Sequence, residues 1–435
     1  MSQSQRTCLQ AIAKNRAEQL AYYRFLRNPD VRLSTLINSL QVHCHEQLKG
    51  RQVLAISDSS EINLQAHAGR LHPEGQGVVG NNRDIGFFIH PTMVVDRNSG
   101  MPLGLSTVQL WTRPVDRPSK EDRDYQSLPI EEKESYKWIQ SAKGSQACFE
   151  FSDVDEVTYV GDSESDIYEP WFQIPETQVH LLVRACKDRR WVESDAKLFA
   201  YLDAQPIAGT YELDIPGDLR ANRTARRATL AVRFTQVTVR QPKRMKQDYP
   251  ESMQLNAVDV VELHPPNGEE AVHWRLLTTH KIGDCEQAKT IIQWYCWRWH
   301  IEQLFAILKQ RCLDIEATQL ESISAIQKLC VLALSVAVTV LQLTLGRENQ
   351  DETADIAFSR DKQTCLFSIA PTLEGQTAKQ KNPYSPQSLA WTTWVIARLG
   401  GWSGYHSQRP PGFATIHRGL KQFEMMFVGW QLAHP

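Results

Sequence analysis

"VLAISD", residues 53–58, is a short apolar run that ends on an aspartate. Such a run, bounded by polar residues, is typical of a buried strand. The pattern returns in "EVTYVGD" (156–162), and the apolar run "VHLLVRA" (179–185) follows it. In open α/β sheets, ligands gather outside the carboxyl ends of the strands. We therefore predict that Asp58 and Asp162 lie at the edge of a sheet where chemistry takes place.

The segments around these strands indicate an α/β layer with an antiparallel edge. Two longer extended runs, "IGFFIHPTMVVD" and "MPLGLSTVQLWTRP", are joined by a hairpin-like turn at 97–100. The charged stretch "LPIEEKESYKWIQSAK" has helical character and precedes the second aspartate strand. Alternating strands and helices predict this fold class. From about 208 to 280 the chain reads as strands and turns, which indicates a β-rich insertion.

Composition excludes several classes of protein. The formal net charge is -2, so the overall charge does not indicate binding to nucleic acid. Any basic surface must therefore be local. The nine cysteines are scattered without a CxxC pair, which favours a reduced, cytoplasmic protein. No signal-peptide core stands at the N-terminus. The apolar segment "LCVLALSVAVTVLQLTL" (329–345) contains four polar residues and is predicted to be a buried core helix, not a membrane span.

The stretch "WYCWRWHIEQLFAILKQ" (294–310) predicts a helix with an unusual polar stripe. At about 100° per residue, Tyr295, Arg298, Glu302 and Lys309 fall within a sector of about 60°. Aliphatic residues surround the axis, so the helix is expected to be substantially buried. One interpretation is an Arg298–Glu302 ion pair on a solvated face. The other is one wall of an active site.

Asp58 and Asp162 have ordinary interpretations of their own. Asp58-Ser-Ser-Glu61 has the shape of a capping box, and Asp162 fits the cap of a following helix. Taken together with Glu302, however, two strand-terminal aspartates and a helical glutamate suit Mg²⁺ or Mn²⁺. Two such ions about 4 Å apart can activate water and stabilise the leaving oxygen in phosphodiester cleavage. Arg298 and Lys309 on the same face would then contact DNA phosphates.

Basic residues indicate a local DNA-binding face. The stretch 219–246, "LRANRTARRATLAVRFTQVTVRQPKRMK", carries nine Arg or Lys residues and no acid. Such a patch offers phosphate contacts despite the near-neutral chain. The alternative is a solvated strand edge that is protected by charge. The stretch "RACKDRR" (184–190) adds Arg184 and Lys187.

With these residues in view, the sequence resembles the Asp-Asp-Glu transposases of the bacterial insertion-sequence-four family, the Tn-five type. The family signature, Tyr-x2-Arg-x3-Glu-x6-Lys, is complete as Tyr295, Arg298, Glu302 and Lys309. "AISDSSEINL" and "YVGDSESDIYE" are similar to the family's two aspartate motifs. Segments near both ends, "AYYRFLRNPDV" and "SLAWTTWVIARLGGW", also resemble the family, so that the resemblance covers most of the chain.

The resemblance implies a ribonuclease H-like catalytic core with an inserted antiparallel β subdomain, flanked by helical N- and C-terminal segments. It implies cut-and-paste DNA transposition with two Mg²⁺ (or Mn²⁺) ions bound by Asp58, Asp162 and Glu302. The steps are strand hydrolysis, hairpin formation, hairpin opening and strand transfer by a 3′-hydroxyl. The partners are transposon-end DNA and target DNA, held by a homodimer in a synaptic complex, in a bacterial cytoplasm and without a membrane.

The resemblance also assigns DNA-binding residues and domains. Trp274 matches a tryptophan that stacks on a flipped base, which is physically reasonable, although a core tryptophan is the alternative. Arg184 matches a DNA-contacting arginine by position. The implied domains are a shortened helical DNA-binding segment, a catalytic domain with its β-rich insertion, and a helical C-terminal domain that serves dimerisation. Their boundaries are 1–48, 49–345 (insertion about 190–280) and 346–435.

Two features depart from the family pattern. Ser163 follows the second aspartate where the family has arginine, which predicts the loss of one phosphate or ion-pair contact. Only about 20 residues precede "YRFLRN", where family members have a longer helical domain. Three functions therefore stay open from the sequence. They are an active transposase, an N-terminally shortened regulatory or inhibitory derivative, and another metal-dependent nuclease on the same core.

Overall fold

The protein is described by a computed structural model. The described residues are 9–13, 15–116, 128–188, 196–217, 223–242, 245, 249–405 and 408–434. Four basic residues of the predicted DNA-binding stretch lie outside them, namely Arg220, Lys243, Arg244 and Lys246.

Ten strands within these residues form one mixed sheet. In chain order they are β1 Gln52–Ser57, β2 Ser60–Asn63, β3 Gly86–Asp96, β4 Pro102–Trp111, β5 Glu156–Gly161, β6 Val179–Arg184, β7 Gly209–Ile215, β8 Arg226–Arg240, β9 Ser252–Glu262 and β10 His273–Thr278. The strand order is β2-β3-β1-β5-β6-β10-β9-β8-β7, and β4 pairs with β3. The predicted strands at 53–58 and 156–162 are confirmed as β1 and β5.

The direction of the strands divides the sheet into two parts. β1, β5 and β6 are parallel, and β3 is antiparallel to β1, as expected for an α/β layer with an antiparallel edge. The β-rich stretch forms the antiparallel strands β7 to β10. β10 pairs with β6, so that these strands extend the same sheet.

Twelve α-helices accompany the sheet within the described part of the chain. They are α1 Leu9–Ile12, α2 Arg16–Arg27, α3 Leu33–His45, α4 Lys137–Ser152, α5 Pro170–Gln173, α6 Leu198–Asp203, α7 Cys285–Trp297, α8 Trp299–Ala306, α9 Ile323–Leu345, α10 Arg360–Leu373, α11 Leu389–Leu399 and α12 Phe413–Ala433. α9 is long and apolar enough to cross a membrane by length and composition, but 72% of its most apolar window is buried inside the protein. It packs against α2, α3, α8, α11, α12 and β4, which agrees with the predicted core helix.

A buried lysine joins the N-terminal helices to this core. Lys328 of α9 is 5% exposed, and its Nζ donates hydrogen bonds to the carbonyl oxygens of Leu26 (3.1 Å) and Asn28 (2.8 Å). These carbonyls stand at the end of α2, where a helix leaves acceptors unsatisfied and favours a cation. The ammonium therefore holds the end of α2 against α9.

We expect Lys328→Met to lower the free energy of unfolding by about 1–3 kcal/mol, because two buried carbonyls lose their donor. Hydrogen exchange should also speed up in α2 more than in the sheet. Urea unfolding and amide exchange measure the two effects. Lys362→Met is the control, because Lys362 pairs with Glu424 in an exposed bridge whose loss costs well under about 1 kcal/mol. Equal effects of the two variants would contradict the role of Lys328.

Candidate active site

Asp58 and Asp162 lie at the same level beyond two neighbouring strands. β1 and β5 are paired in parallel from Gln52 opposite Glu156 to Ile56 opposite Val160. Each aspartate stands two residues beyond the last pair, so that the common register places them side by side. The interaction of their charges, which raises the pKa of Asp58, agrees with this placement.

A gap in the strand ladder frees Asp58 from the sheet. β1 and β2 both pair with β3, through Ser57 opposite Thr92 and Ser60 opposite Ile89. The same register puts Pro91 opposite Asp58. Proline has no N–H to donate to a ladder, so pairing stops there and resumes at Ser60. The capping-box interpretation of Asp58 is wrong, because a strand follows it and not a helix.

Asp162 begins a short 3₁₀ turn at Ser163–Ser165. Its carboxylate accepts a hydrogen bond from the backbone N–H of Glu164 at 2.8 Å. The predicted capping role is therefore confirmed, and it leaves the carboxylate beside Asp58. The side chain of Asp162 thus caps the 3₁₀ turn and also lies close to Asp58.

Arg298 stands at a break in the predicted helix over 294–310. α7 ends at Trp297, α8 begins at Trp299, and a π-helical turn at Ile307–Arg311 follows. The Nη1 atom of Arg298 lies 3.0 Å from Oδ2 of Asp58, and Nη2 lies 2.8 Å from Oε1 of Glu302. The predicted Arg298–Glu302 pair is present, but the arginine side chain is only 14% exposed. The pair therefore belongs to a part-buried cluster and not to a solvated face.

Asp58, Asp162 and Glu302 form the carboxylate cluster. Arg298 bridges two of these three carboxylates, so that the cluster keeps an excess of negative charge. Burial raises the pKa of Asp58 to about 6, and the nearby charge of Asp162 adds to the rise while Arg298 opposes it. Burial also raises the pKa of Asp162. Carboxylate oxygens are the ligands that Mg²⁺ and Mn²⁺ prefer, and a divalent ion would relieve the excess negative charge. These residues therefore fit a divalent metal site.

The remaining signature residues have different surroundings. Tyr295 is buried, with its ring 5.6 Å from that of Trp274 and 5.7 Å from the Arg298 guanidinium. Trp274 is half-buried, so that it contributes to packing and also keeps an accessible part. Lys309 donates a hydrogen bond to the Glu61 carbonyl (2.7 Å) and pairs with Glu316 at 3.2 Å. It thereby ties the π-helical turn to β2, and a phosphate contact by Lys309 stays a prediction.

Arg184 and Lys187 are exposed near the same edge. Arg184 stands at the end of β6, next to the position of Asp162, and its charge acts on Tyr295. Two of the described arginines of the basic stretch are neutralised by close acid partners. Arg226 pairs with Glu262 at 2.7 Å, and Arg233 pairs with a carboxylate of β9 at 3.1 Å. The predicted phosphate patch on β8 is therefore smaller than its composition indicates.

Sequence reasoning missed three residues that border the carboxylate cluster, namely Ser59, His90 and Lys137. His90 of β3 is fully buried, and its Nδ1 lies 2.9 Å from Oγ of Ser59. Lys137 at the start of α4 lies 3.1 Å from Glu164. A groove of about 780 Å³ adjoins the cluster, and its lining includes Ser59, Lys137 and Lys187. The sequence does not show that these side chains are neighbours, because their proximity depends on contacts between distant segments.

Two groups within the described residues bring three ligand atoms within 4.8 Å of one another, and the carboxylate cluster is not among them. In one, His180 and His280 stack with centroids 3.9 Å apart and 24° between their planes, so that their in-plane lone pairs do not converge on one ion. The other is built around Asp259, which Arg233 already neutralises. The carboxylate cluster is therefore the better site for a divalent ion.

One family model matches the central part of the chain. Residues 147–338 match the family model described as "Transposase DDE domain", which is less than half of the chain. The matched range contains Asp162 and Glu302, while Asp58 precedes it. The match implies an endonuclease or transposase role for this part of the chain, and proteins with this domain usually use divalent metal ions.

One solved structure is similar in outline only. It is a "Cryo-EM structure of piggyBac transposase synaptic complex with hairpin DNA (SNHP)", at 8% identity and a TM-score of 0.34. The match covers 73% of this chain and 52% of that chain, so the protein spans about half the length of that relative. At this TM-score the likeness carries no argument about the fold.

Proposed function

We propose that the protein is a DNA transposase that cuts and joins DNA with two divalent metal ions. The observation that carries the proposal is the meeting of Asp58, Asp162 and Glu302, from three distant segments, around Arg298. The DDE-domain match over residues 147–338 supports the same class of enzyme. The complete Tyr-Arg-Glu-Lys signature supports the insertion-sequence-four, Tn-five type.

The sheet supports a ribonuclease H-like core for this function. An antiparallel β3 lies beside β1, and the parallel strands β5 and β6 follow on the other side. β1 and β5 end immediately before the first two carboxylates, while α8 carries the third. On this basis residues 49–345 form the catalytic domain, the strands of about 190–280 form its insertion, and 346–435 form the C-terminal domain.

The chain's own groups have separate tasks in the proposed reaction. The three carboxylates bind Mg²⁺ or Mn²⁺, which supplies an activated water and charge stabilisation for phosphodiester cleavage. Arg298 neutralises Asp58 and Glu302, and its guanidinium is also a group that suits a phosphate. In hydrolysis, the oxygen of water bonds to phosphorus as the bond to the 3′ oxygen breaks. A 3′-hydroxyl and a 5′-phosphate remain.

The later steps use the same chemistry with another nucleophile. The freed 3′-hydroxyl attacks the opposite strand and forms a hairpin, with release of a flanking 3′-hydroxyl. Water opens the hairpin, and the terminal 3′-hydroxyl then attacks target DNA. We assign base stacking to Trp274 and phosphate contacts to Arg184 and Lys187, because these side chains lie exposed or half-buried at the same edge. The complex would contain two copies of the chain and act in a bacterial cytoplasm.

A cleavage assay tests the proposal. The substrates are a plasmid that carries the DNA flanking this gene on both sides and a plasmid with that DNA scrambled, with Mg²⁺, Mn²⁺ or EDTA. We expect metal-dependent excision from the first plasmid only. A Glu302→Gln preparation, purified in parallel, controls for contaminating nuclease. Equal nicking of both plasmids would indicate a general nuclease, and absence of metal-dependent cleavage would refute the enzyme assignment.

A further inference from the structure

We propose that His90 and Ser59 form a positioning pair that fixes the Asp58 carboxylate for binding a divalent metal ion. The inference rests on the proposed function, since it concerns the same carboxylate cluster. It assigns a role to two side chains, Ser59 and His90, that the sequence analysis did not single out.

The need for such a pair comes from the gap in the ladder. Pro91 removes the strand pairing opposite Asp58, so Asp58 and Ser59 lack the regular support that the rest of β1 receives from β3. A carboxylate on an unsupported backbone would sample several orientations. A metal ligand must instead be held close to one geometry.

Side-chain contacts replace the missing support. Nδ1 of His90 lies 2.9 Å from Oγ of Ser59, and the backbone N–H of Ser59 donates to Oδ1 of Asp58 at 2.7 Å. Arg298 holds the other oxygen, Oδ2, at 3.0 Å. Each oxygen of the Asp58 carboxylate therefore has a fixed donor. Ser59 is the pivot, because its side chain is held by His90 while its backbone holds Asp58.

His90 is well suited to anchor this pivot. It is fully buried, and its ring meets Trp138 edge to face, with 4.8 Å between centroids and 88° between planes. These surroundings fix the position of the ring, so that its Nδ1 can orient Ser59.

The expected consequence is a loss of metal affinity without loss of the fold. Partners that orient metal ligands typically contribute about 10–100-fold to affinity or activity. Ser59→Ala and His90→Leu should each weaken Mn²⁺ binding by about 10-fold, and the double variant should be no weaker than either single one. His90→Asn keeps a polar group near the position of Nδ1 and should recover part of the affinity.

Ser57→Ala is the matched control. Ser57 also bonds across to β3, through Thr92 Oγ1 at 2.9 Å, but it lies on the paired side of the gap. Titration calorimetry with MnCl₂ on the full chain gives the dissociation constants, and thermal unfolding in EDTA compares the folds. Cleavage assays should then show a higher half-saturating Mn²⁺ concentration, with a rate at saturating Mn²⁺ within about threefold of wild type.

The outcomes separate this inference from the proposed function. If wild type binds Mn²⁺ and Ser59→Ala and His90→Leu bind it equally well, the positioning role is refuted while the metal site stands. If Ser57→Ala weakens binding as much as Ser59→Ala, the effect is general to the strand and the pair is likewise refuted. If wild type binds no more Mn²⁺ than Asp58→Asn, the metal site itself is refuted, and the positioning role with it.

Discussion

Asp58→Asn is expected to abolish metal-dependent DNA cleavage and, at the same time, to stabilise the metal-free protein. Loss of an essential active-site group typically lowers the rate by about 10³-fold or more. The stability gain arises because burial and Asp162 raise the pKa of Asp58 from 3.8 to about 6. A rise of about two pH units means that holding Asp58 ionised costs on the order of 3 kcal/mol. The raised pKa already includes the opposing attraction of Arg298, so an increase of about 1–3 kcal/mol is expected.

The gain must depend on pH in a definite direction. The folded-state pKa of Asp58 is raised, so the wild-type protein pays no penalty below about pH 4, where the group is protonated in both states. The penalty grows as pH rises from about 4 to 6, and it is complete above that range. The stability difference between Asp58→Asn and wild type in EDTA should therefore shrink towards zero as pH falls from 7 to 4.

Urea unfolding in EDTA at several pH values measures this difference, and the cleavage assay measures activity. Asp96→Asn is a control with the opposite expected sign. Burial pushes the pKa of Asp96 upward, but hydrogen bonds from Ser99, Arg51 and Asn98 outweigh it and leave the pKa lowered. Asp96→Asn should thus destabilise the protein at pH 7. Destabilisation by Asp58→Asn would contradict the electrostatic account of the cluster.

Arg298→Met is expected to have the largest effect on the stability of the metal-free protein. Removal of one partner from a buried charge cluster typically costs about 3–5 kcal/mol, because the remaining charges lose their compensation. Here Asp58 and Glu302 would both lose Arg298 as their ion-pair partner. A divalent ion supplies positive charge at the same carboxylates. Mn²⁺ at 100 times its dissociation constant should therefore return about 2.7 kcal/mol.

Thermal or urea unfolding of Arg298→Met, with EDTA and with Mn²⁺, tests this exchange of one cation for another. Arg227→Met is the comparison, because Arg227 and Glu212 are 70% and 45% exposed and such a pair contributes at most about 1 kcal/mol. Its stability should rise with Mn²⁺ only as much as that of wild type, because its carboxylate cluster and Arg298 are intact. If Mn²⁺ stabilises Arg298→Met no more than Arg227→Met, the guanidinium and the metal do not share the carboxylates.

Local patterns were enough to predict the parts of the site that lie within single elements. The apolar runs that end at Asp58 and Asp162 form strands, and the stretch that carries Glu302 is helical. Strand burial and helix periodicity are properties of short segments, so that they can be read from the sequence. To predict that the two aspartates lie at the same level, the register of β1 and β5 must be known. That register depends on pairing between residues about a hundred positions apart.

The features that sequence reasoning missed arise from contacts between distant segments. The break at Arg298 coincides with its bonds to Asp58 and Glu302, and helical periodicity predicted a continuous helix there. Lys309 is engaged by β2 and by Glu316, where its spacing alone favoured a free phosphate ligand. Arg226 and Arg233 of β8 pair with acids on β9, which no inspection of the basic stretch by itself reveals.

The pairing of β10 with β6 sets the order in which the protein can become active. After Arg184 at the end of β6, the chain forms β7 to β9 at the far side of the sheet, and it pairs with β6 only at β10, His273–Thr278. Closing so long a loop is a slow, late event, because contacts distant in sequence cost more entropy before they form. During synthesis, Asp58 and Asp162 emerge well before Glu302. The proposed cleavage centre therefore lacks its third carboxylate until late in synthesis, when Glu302 has emerged and β10 has paired with β6.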